Sequence, residues 1–404
     1  LLLVGASPPA ARGQGREIEL GAEEFHYRTA ETPLNRGNVL GLDEDEDLLR
    51  LTLGWRERLG PLRLVLRGYA ERRLGEGRDD GADGQARQAY LQYAAADLAT
   101  IRVGKQRLSW GSGFAWNPTD RVEPPRNPFN PTLEQEGANA VRFDLRPSSW
   151  ATVTVVAAER DNTLRDLPFE TPRTDRSTGV LRARFLARDT DLALVVSGGA
   201  RQPTLWGLDV ARGVGAGVTG HLEAAVYRGA ELFPPRPGQT FFRAVTGALR
   251  TFGADHTVAL EYFFNGEGYD DRQQGGYLTL LDTSAAVAFD PQAPEAERQR
   301  AMAVYLAAAF RPYAGGMGLR RHYLHASWSR GQAGGRWTLV LRALAGLDDG
   351  GFVLTPGVTF APRDDLTVAV DAVVPGGPAD SEYRLAPLRG GVQARLRYVW
   401  AGGG

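Results

Sequence analysis

The chain has 404 residues, 43% hydrophobic and 24% charged, with a formal net charge of −1, 50 glycines, 24 prolines and no cysteine. No run approaches the ~20 apolar residues that a membrane helix needs, so a helical membrane protein is excluded, and the near-neutral charge gives no reason to expect nucleic acid. Without cysteine there is no disulfide framework, thiolate zinc site, Fe–S cluster or CxxCH haem attachment in the chain, whereas a transmembrane β-barrel fits, because its lipid-facing and lumen-facing residues alternate and hydropathy cancels.

Residues 1–13, LLLVGASPPAARG, resemble the rear of a signal peptide: an apolar remnant, then small residues, with Ala11-Arg12-Gly13 fitting an A-x-G cleavage site. A disordered chain end is the plainer alternative. Residues 14–404 then read as one domain. From residue 16 onward, apolar and polar residues alternate with period two between turn residues, as in half-buried strands. The acidic run DEDED at 43–47 lies in a polar connection. Carboxylates are Ca²⁺ ligands, but the run lacks the spaced ligands and glycine of an EF-hand and reads better as solvated charge. In 62–71, Leu62, Leu64 and Leu66 share one face, and Arg63, Val65, Arg67, Tyr69 and Glu71 share the other.

The alternation stops at 107–131, RLSWGSGFAWNPTDRVEPPRNPFNP. Asn117-Pro118, Asn127-Pro128 and Asn130-Pro131 favour turns, and Pro124-Pro125 stiffens the backbone, so this connection is expected to be ordered. It either folds into a barrel mouth and narrows it, with Arg107, Asp120, Arg121 and Arg126 lining the constriction around Trp110 and Trp116, or forms a rigid cap that buries Trp110, Phe114 and Trp116. The run GKQRLSWGSGFAWNPTDRVEPPRNPFNPTLEQEG resembles a motif of bacterial outer-membrane porin-like barrels, a group that includes alginate-export-type channels and porins of extracellular electron transfer. The resemblance covers about residues 99–146. It implies an outer-membrane channel and transfers no ligand-binding residue.

Alternation resumes in 141–146, with Val141, Phe143 and Leu145 against Arg142, Asp144 and Arg146, and in 181–185, with Arg182 and Arg184 on the polar face. Residues 294–310, PEAERQRAMAVYLAAAF, are rich in helix formers and open with Pro and Glu, which suit a first helical turn. Setting this segment aside as one short helix in a loop leaves about eighteen strands, an even number as a barrel with both ends on one side requires. His322 and His325 fall on opposite faces of a strand and make a poor metal pair. The stretch 392–400 reads as a closing strand ending at Trp400. Tight turns, such as those at Leu59-Gly60-Pro61 and Pro147–Ser149, interleave with mostly longer segments near 32–46, 74–86, 110–137, 161–178, 230–239 and 266–300. Short periplasmic turns and long extracellular loops are expected of an outer-membrane barrel. Trp55, Trp150, Trp328, Trp337 and Trp400 lie near the turn side and Trp206 near the other rim, as aromatic girdles would.

The fold expected is therefore an all-β, antiparallel, up-and-down transmembrane barrel in the bacterial outer membrane. Its lumen would be lined by Arg63, Arg67, Arg142, Asp144, Arg146, Arg182, Arg184, Arg342, Arg395 and Arg397. Rings of fixed cations favour anions, although Glu71, Asp144, Glu261 and Asp371 offer partners that would leave little net field. The function expected is passive passage of small anionic solutes, with no catalytic residue, no cofactor and no metal. Expected partners are outer-membrane lipid, lipopolysaccharide and the solute. The alternative is a barrel that sheathes a partner, such as a cytochrome of an electron conduit.

Overall fold

The computed structural model describes residues 15–39, 42, 45–75, 82–123, 126–131, 135–160, 176–199, 202–215, 217–229, 238–253, 255–309, 318–331 and 335–403. The segment 1–13, the Pro124–Pro125 pair, and Asp43 and Glu44 of the acidic run lie outside the described residues. The first nine strands are β1 (Gly15–Thr29), β2 (Asp45–Leu59), β3 (Leu62–Gly75), β4 (Ala82–Ala95), β5 (Ala99–Gln106), β6 (Ala138–Ser148), β7 (Ala151–Arg160), β8 (Arg176–Ala187) and β9 (Thr190–Gly199). The second nine are β10 (Gln202–Gly213), β11 (Val218–Arg228), β12 (Thr240–Phe252), β13 (His256–Asn265), β14 (His322–Gly331), β15 (Trp337–Gly346), β16 (Phe352–Arg363), β17 (Leu366–Gly376) and β18 (Leu388–Gly403). Each pairs antiparallel with its neighbours in sequence, and β1 pairs with both β2 and β18, so the eighteen-stranded sheet is a closed up-and-down barrel.

The burial pattern is inverted relative to a soluble protein. Leu20, Leu53 and Val103 are 52%, 53% and 50% exposed, while Glu71, Asp144, Glu223 and Arg243 are buried. Covering each exposed leucine is favourable by about 1.5–3 kcal/mol, and a continuous apolar belt of this kind is stable only against lipid. Trp55, Trp150, Trp337 and Trp400 point outward at the turn end, and Trp328 there donates Nε1 to His256 at 3.3 Å. Trp206, Phe242 and Phe352 are exposed near the opposite rim, which gives the belt an aromatic edge on both sides. Turns and loops alternate as the residue pattern implies, except that the loop side also carries two short connections, 200–201 and 347–351.

The long β13–β14 connection holds two helices where one was expected: α1 (Asp271–Ala288) and α2 (Glu295–Ala309). The signal for α1 is a capping box: Asp270 Oδ1 accepts from Gln273 N at 2.9 Å and Gln273 Oε1 from Asp270 N at 3.0 Å. Gly275-Gly276, each disfavoured by about 1 kcal/mol in a helix, obscured it, as did Thr279, Thr283 and Ser284, whose hydroxyls bond back to their own helix. Packing overrides these penalties. Tyr277, Leu281 and Ala285 of α1 meet Tyr305, Ala308 and Ala309 of α2 around Leu34 and Leu319, and Tyr277 Oη donates to Ala308 O at 2.8 Å. A single turn, α3 (Glu382–Leu385), sits between β17 and β18.

Candidate functional site, the constriction in the lumen

Between β5 and β6, residues 107–123, 126–131 and 135–137 leave the wall. In a ring of eighteen, β14 stands opposite β5, and the loop reaches that far. Ser112 Oγ donates to Asp209 on β10. Thr119 N and Oγ1 donate to Glu223 Oε1 on β11 at 2.8 and 2.7 Å, and Gly113 N reaches Glu223 Oε2 at 3.4 Å. Phe114 N and Ala115 N donate to the two oxygens of Glu261 on β13, the second at 2.6 Å. Trp116 stacks on Phe263 with ring centroids 4.9 Å apart and stands near Tyr323 and His325 of β14. Thr355 Oγ1 of β16 donates to Phe129 O at 3.3 Å. The loop therefore spans the lumen and is seated on the far wall by three acidic side chains that accept mainly its backbone N–H groups.

Two glycines make this seat possible. Gly111 has φ +87, and a Cβ there would lie 2.6 Å from Glu223 Oε2; on the wall, a Cβ at Gly207 would lie 2.6 Å from Thr119 Cγ2. The loop is also braced from within. Glu123 accepts from Leu108 N and from Ser109 N, the latter at 2.9 Å; Asp120 accepts from Val122 N and Glu123 N; Arg126 donates to Gly113 O and Phe114 O at 2.7 and 3.1 Å. Burial raises the Glu123 carboxyl above its ordinary range, and the charge of Asp120 adds to the rise. Leu108, Trp110 and Val122 pack on Val156, Val180 and Val195 at the near wall, and Ala115 and Trp116 on Val245, Phe263 and Leu344 at the far wall.

Trp110 and Trp116 are thus both buried, Arg121 is buried with its guanidinium 5.2 Å from the Tyr227 ring centre, and Arg107 is half-buried near Glu123. Asp120, Arg121 and Arg126 hold the loop together or to the wall. Among the wall residues, Arg67 meets Glu19 at 3.3 Å, Arg397 meets Glu19 at 2.9 Å, Arg142 meets Asp144 at 2.8 Å, Arg182 meets Asp209 at 3.8 Å and Arg184 meets Asp191 at 2.5 Å. Arg395 pairs with Asp371, and Arg342 is buried. Arg63 and Arg146 are exposed and have no carboxylate partner among the described residues.

Strand register adds an arrangement that pattern alone did not show. Arg58, Arg63, Gln92, Arg102 and Arg142 are successive cross-strand partners on β2 to β6. Arg102 Nε donates to Gln92 Oε1 at 2.8 Å, and Arg142 pairs with Asp144 of its own strand. The side chains of Arg395 and Arg397 are each 28% exposed, whereas those of Glu223 and Glu261 are fully buried under the loop. The arginines of β18 are therefore more accessible than the acids under the loop. His325 is buried in the lumen wall, and His322 meets Tyr262 on the outer face at 2.6 Å. Asp45 of the acidic run bonds His26. Among the described residues no three His, Asp or Glu side chains converge as metal ligands.

The crystal structure of Pseudomonas aeruginosa OccK5 (OpdH) is similar in fold, with TM-score 0.60 at 8% identity, covering 96% of this chain and 98% of that one. Acinetobacter baumannii OccAB1 gives TM-score 0.58 at 9% identity, covering 96% of each chain, and the Pseudomonas aeruginosa outer membrane protein OpdK gives 0.55 at 10%, covering 96% and 99%. No protein-family model matches the sequence, and no curated protein matches it. The solved structures establish the eighteen-stranded outer-membrane barrel fold.

Proposed function

We propose that the chain is a passive diffusion channel of the bacterial outer membrane for small solutes, biased toward anions. The observation that carries the bias is the row of four arginines and one glutamine across β2 to β6, facing a lumen already narrowed to one side by the constriction loop. Fixed cations in a narrow aqueous path raise the local concentration of anions. The outward apolar belt and its aromatic edges support placement in a bilayer, with lipid and lipopolysaccharide as surroundings, and the fold is shared with proteins described as outer membrane proteins. The loop across the lumen favours the channel over a sheath for a partner such as a cytochrome.

The test is single-channel conductance and reversal potential of the purified, refolded protein in a planar bilayer under a KCl gradient. Steady openings with anion preference are the expected result. Cation preference would refute the role of the arginine row, and a silent bilayer containing folded barrel would refute the channel.

A further inference from the structure

The one-turn helix α3 touches both the α1–α2 hairpin and the constriction loop. On one side, Leu385 enters the apolar core of the α1–α2 hairpin, and Glu382 Oε1 accepts from Leu319 N, where the hairpin's connection returns to the wall, at 2.9 Å. Nearby, Gln274 of α1 donates to Asp380 O at 3.0 Å. On the other side, Tyr383 packs edge-on against Phe129 of the constriction loop, with centroids 5.8 Å apart, and shares a buried cluster with Trp116 and Tyr323. Adjacent residues of a single turn thus bind the hairpin and the loop.

We propose that α3 couples the α1–α2 lid to the constriction loop, and that the charge on Glu382 sets how firmly the pair is seated. Glu382 is surrounded by Tyr323 Oη, which donates to its second oxygen, by Asp349, whose carboxylate accepts Glu382 N at 2.9 Å, and by its neighbour Tyr383. A cation at this seat is Arg320, held by Asp271 of α1 at 2.5 Å and 3.9 Å from Asp349. Burial pushes Glu382 up to about 7, Asp349 adds to the rise, and the bonds from Tyr323 and Leu319 oppose it. The sign follows from linkage: a carboxyl raised in the seated state binds its proton there more tightly than when released, so seating is strongest in acid and weakens as pH rises toward and through 7. With a released value of 4.5, seating is about thirtyfold weaker at pH 8.5 than at pH 5.5.

The inference rests on the channel reading only for its consequence, a pore that closes more firmly in acid, so the experiment reads structure apart from conduction. Backbone amide exchange of the full chain in detergent is measured at pH 5.5 and 8.5 and corrected for intrinsic rates. In the native protein, protection of residues 271–309 and of 107–123 should fall together at pH 8.5, by up to about thirtyfold. Glu382→Gln should hold both segments protected at both pH values. Tyr383→Leu should leave the lid's response in place and abolish the loop's. No pH response in the native lid, a lid response without one in the loop, or an unchanged response in Glu382→Gln would each overturn the proposal. A silent bilayer would overturn only the channel reading.

Discussion

Replacing Glu261 with glutamine removes one charge from the seat of the constriction loop and almost none of its volume. Its two oxygens accept from Phe114 N and Ala115 N, and His221 Nε2 lies 2.8 Å from one of them. Glutamine keeps one acceptor and turns the other position into a donor that faces an amide donor. One charged bond, about 1.5–3 kcal/mol, is lost, and the other falls to the neutral value of about 1 kcal/mol. Set against the smaller cost of burying an amide than a carboxylate, the seat weakens by about 2 kcal/mol, roughly thirtyfold in the ratio of released to seated loop. Single-channel records should show that ratio as more frequent steps to a larger conductance. A folded Glu261→Gln barrel whose step size and open-channel noise match the native protein would refute the view that this carboxylate holds the loop.

Reversing Arg63 and Arg102 together to Glu should move the reversal potential toward that of K⁺. One unit charge ~5 Å from an ion in water is worth about 0.8 kcal/mol, so each reversal changes the local chloride concentration roughly tenfold before screening, and an unmoved potential would count against the arginine row. Because the chain has no native cysteine, Thr119→Cys with Gly207→Cys gives an unambiguous lock. A Cβ at Gly207 would lie 3.1 Å from Thr119 Cβ, slightly inside the usual disulfide separation. Oxidation should suppress the larger-conductance steps and reduction restore them, while failure of the pair to cross-link would mean the loop is not seated on β10. In the lid, Tyr305 Oη accepts from Arg36 N at 2.8 Å and donates to Pro33 O at 3.0 Å. Tyr305→Phe should weaken lid docking by about 1–2 kcal/mol, read as roughly tenfold faster proteolysis within 271–309; an unaltered rate would place the anchor elsewhere.

Strand alternation was legible because a period of two survives whatever the strand pairs with: Leu62, Leu64 and Leu66 face out and Arg67 and Glu71 face in from local pattern alone. The even strand count followed from closure, and the helix Glu295–Ala309, expected over 294–310, from composition. The seat of the loop was not legible. Phe114 and Glu261 are 147 positions apart, and Asp209 and Glu223 are ordinary lumen-facing acids until the loop crosses to them. A trace existed: the strands of Glu223 and Glu261 carry mainly small, apolar or aromatic inward residues, such as Ala225 and Phe263, and Asp209 meets Arg182 no closer than 3.8 Å. The row at Arg58, Arg63, Gln92, Arg102 and Arg142 also needed registers, because the bulge between Arg67 and Gly68 shifts β3 against β4 by one residue.

The seam between β1 and β18 bears on how such a molecule is made. Every other ladder joins strands that are consecutive along the chain, but this one sets Gly15 beside Gly403 and runs to Thr29 beside Leu388. It cannot begin until the last strand has been synthesised and delivered, so a growing sheet carries two bare edges for the whole of its assembly. Bare edges are templates for any neighbouring strand, and the chain-closing contact is the slowest kind for a polypeptide to find. A substitution confined to 388–403 should therefore cost yield before it alters the properties of the barrels that do form.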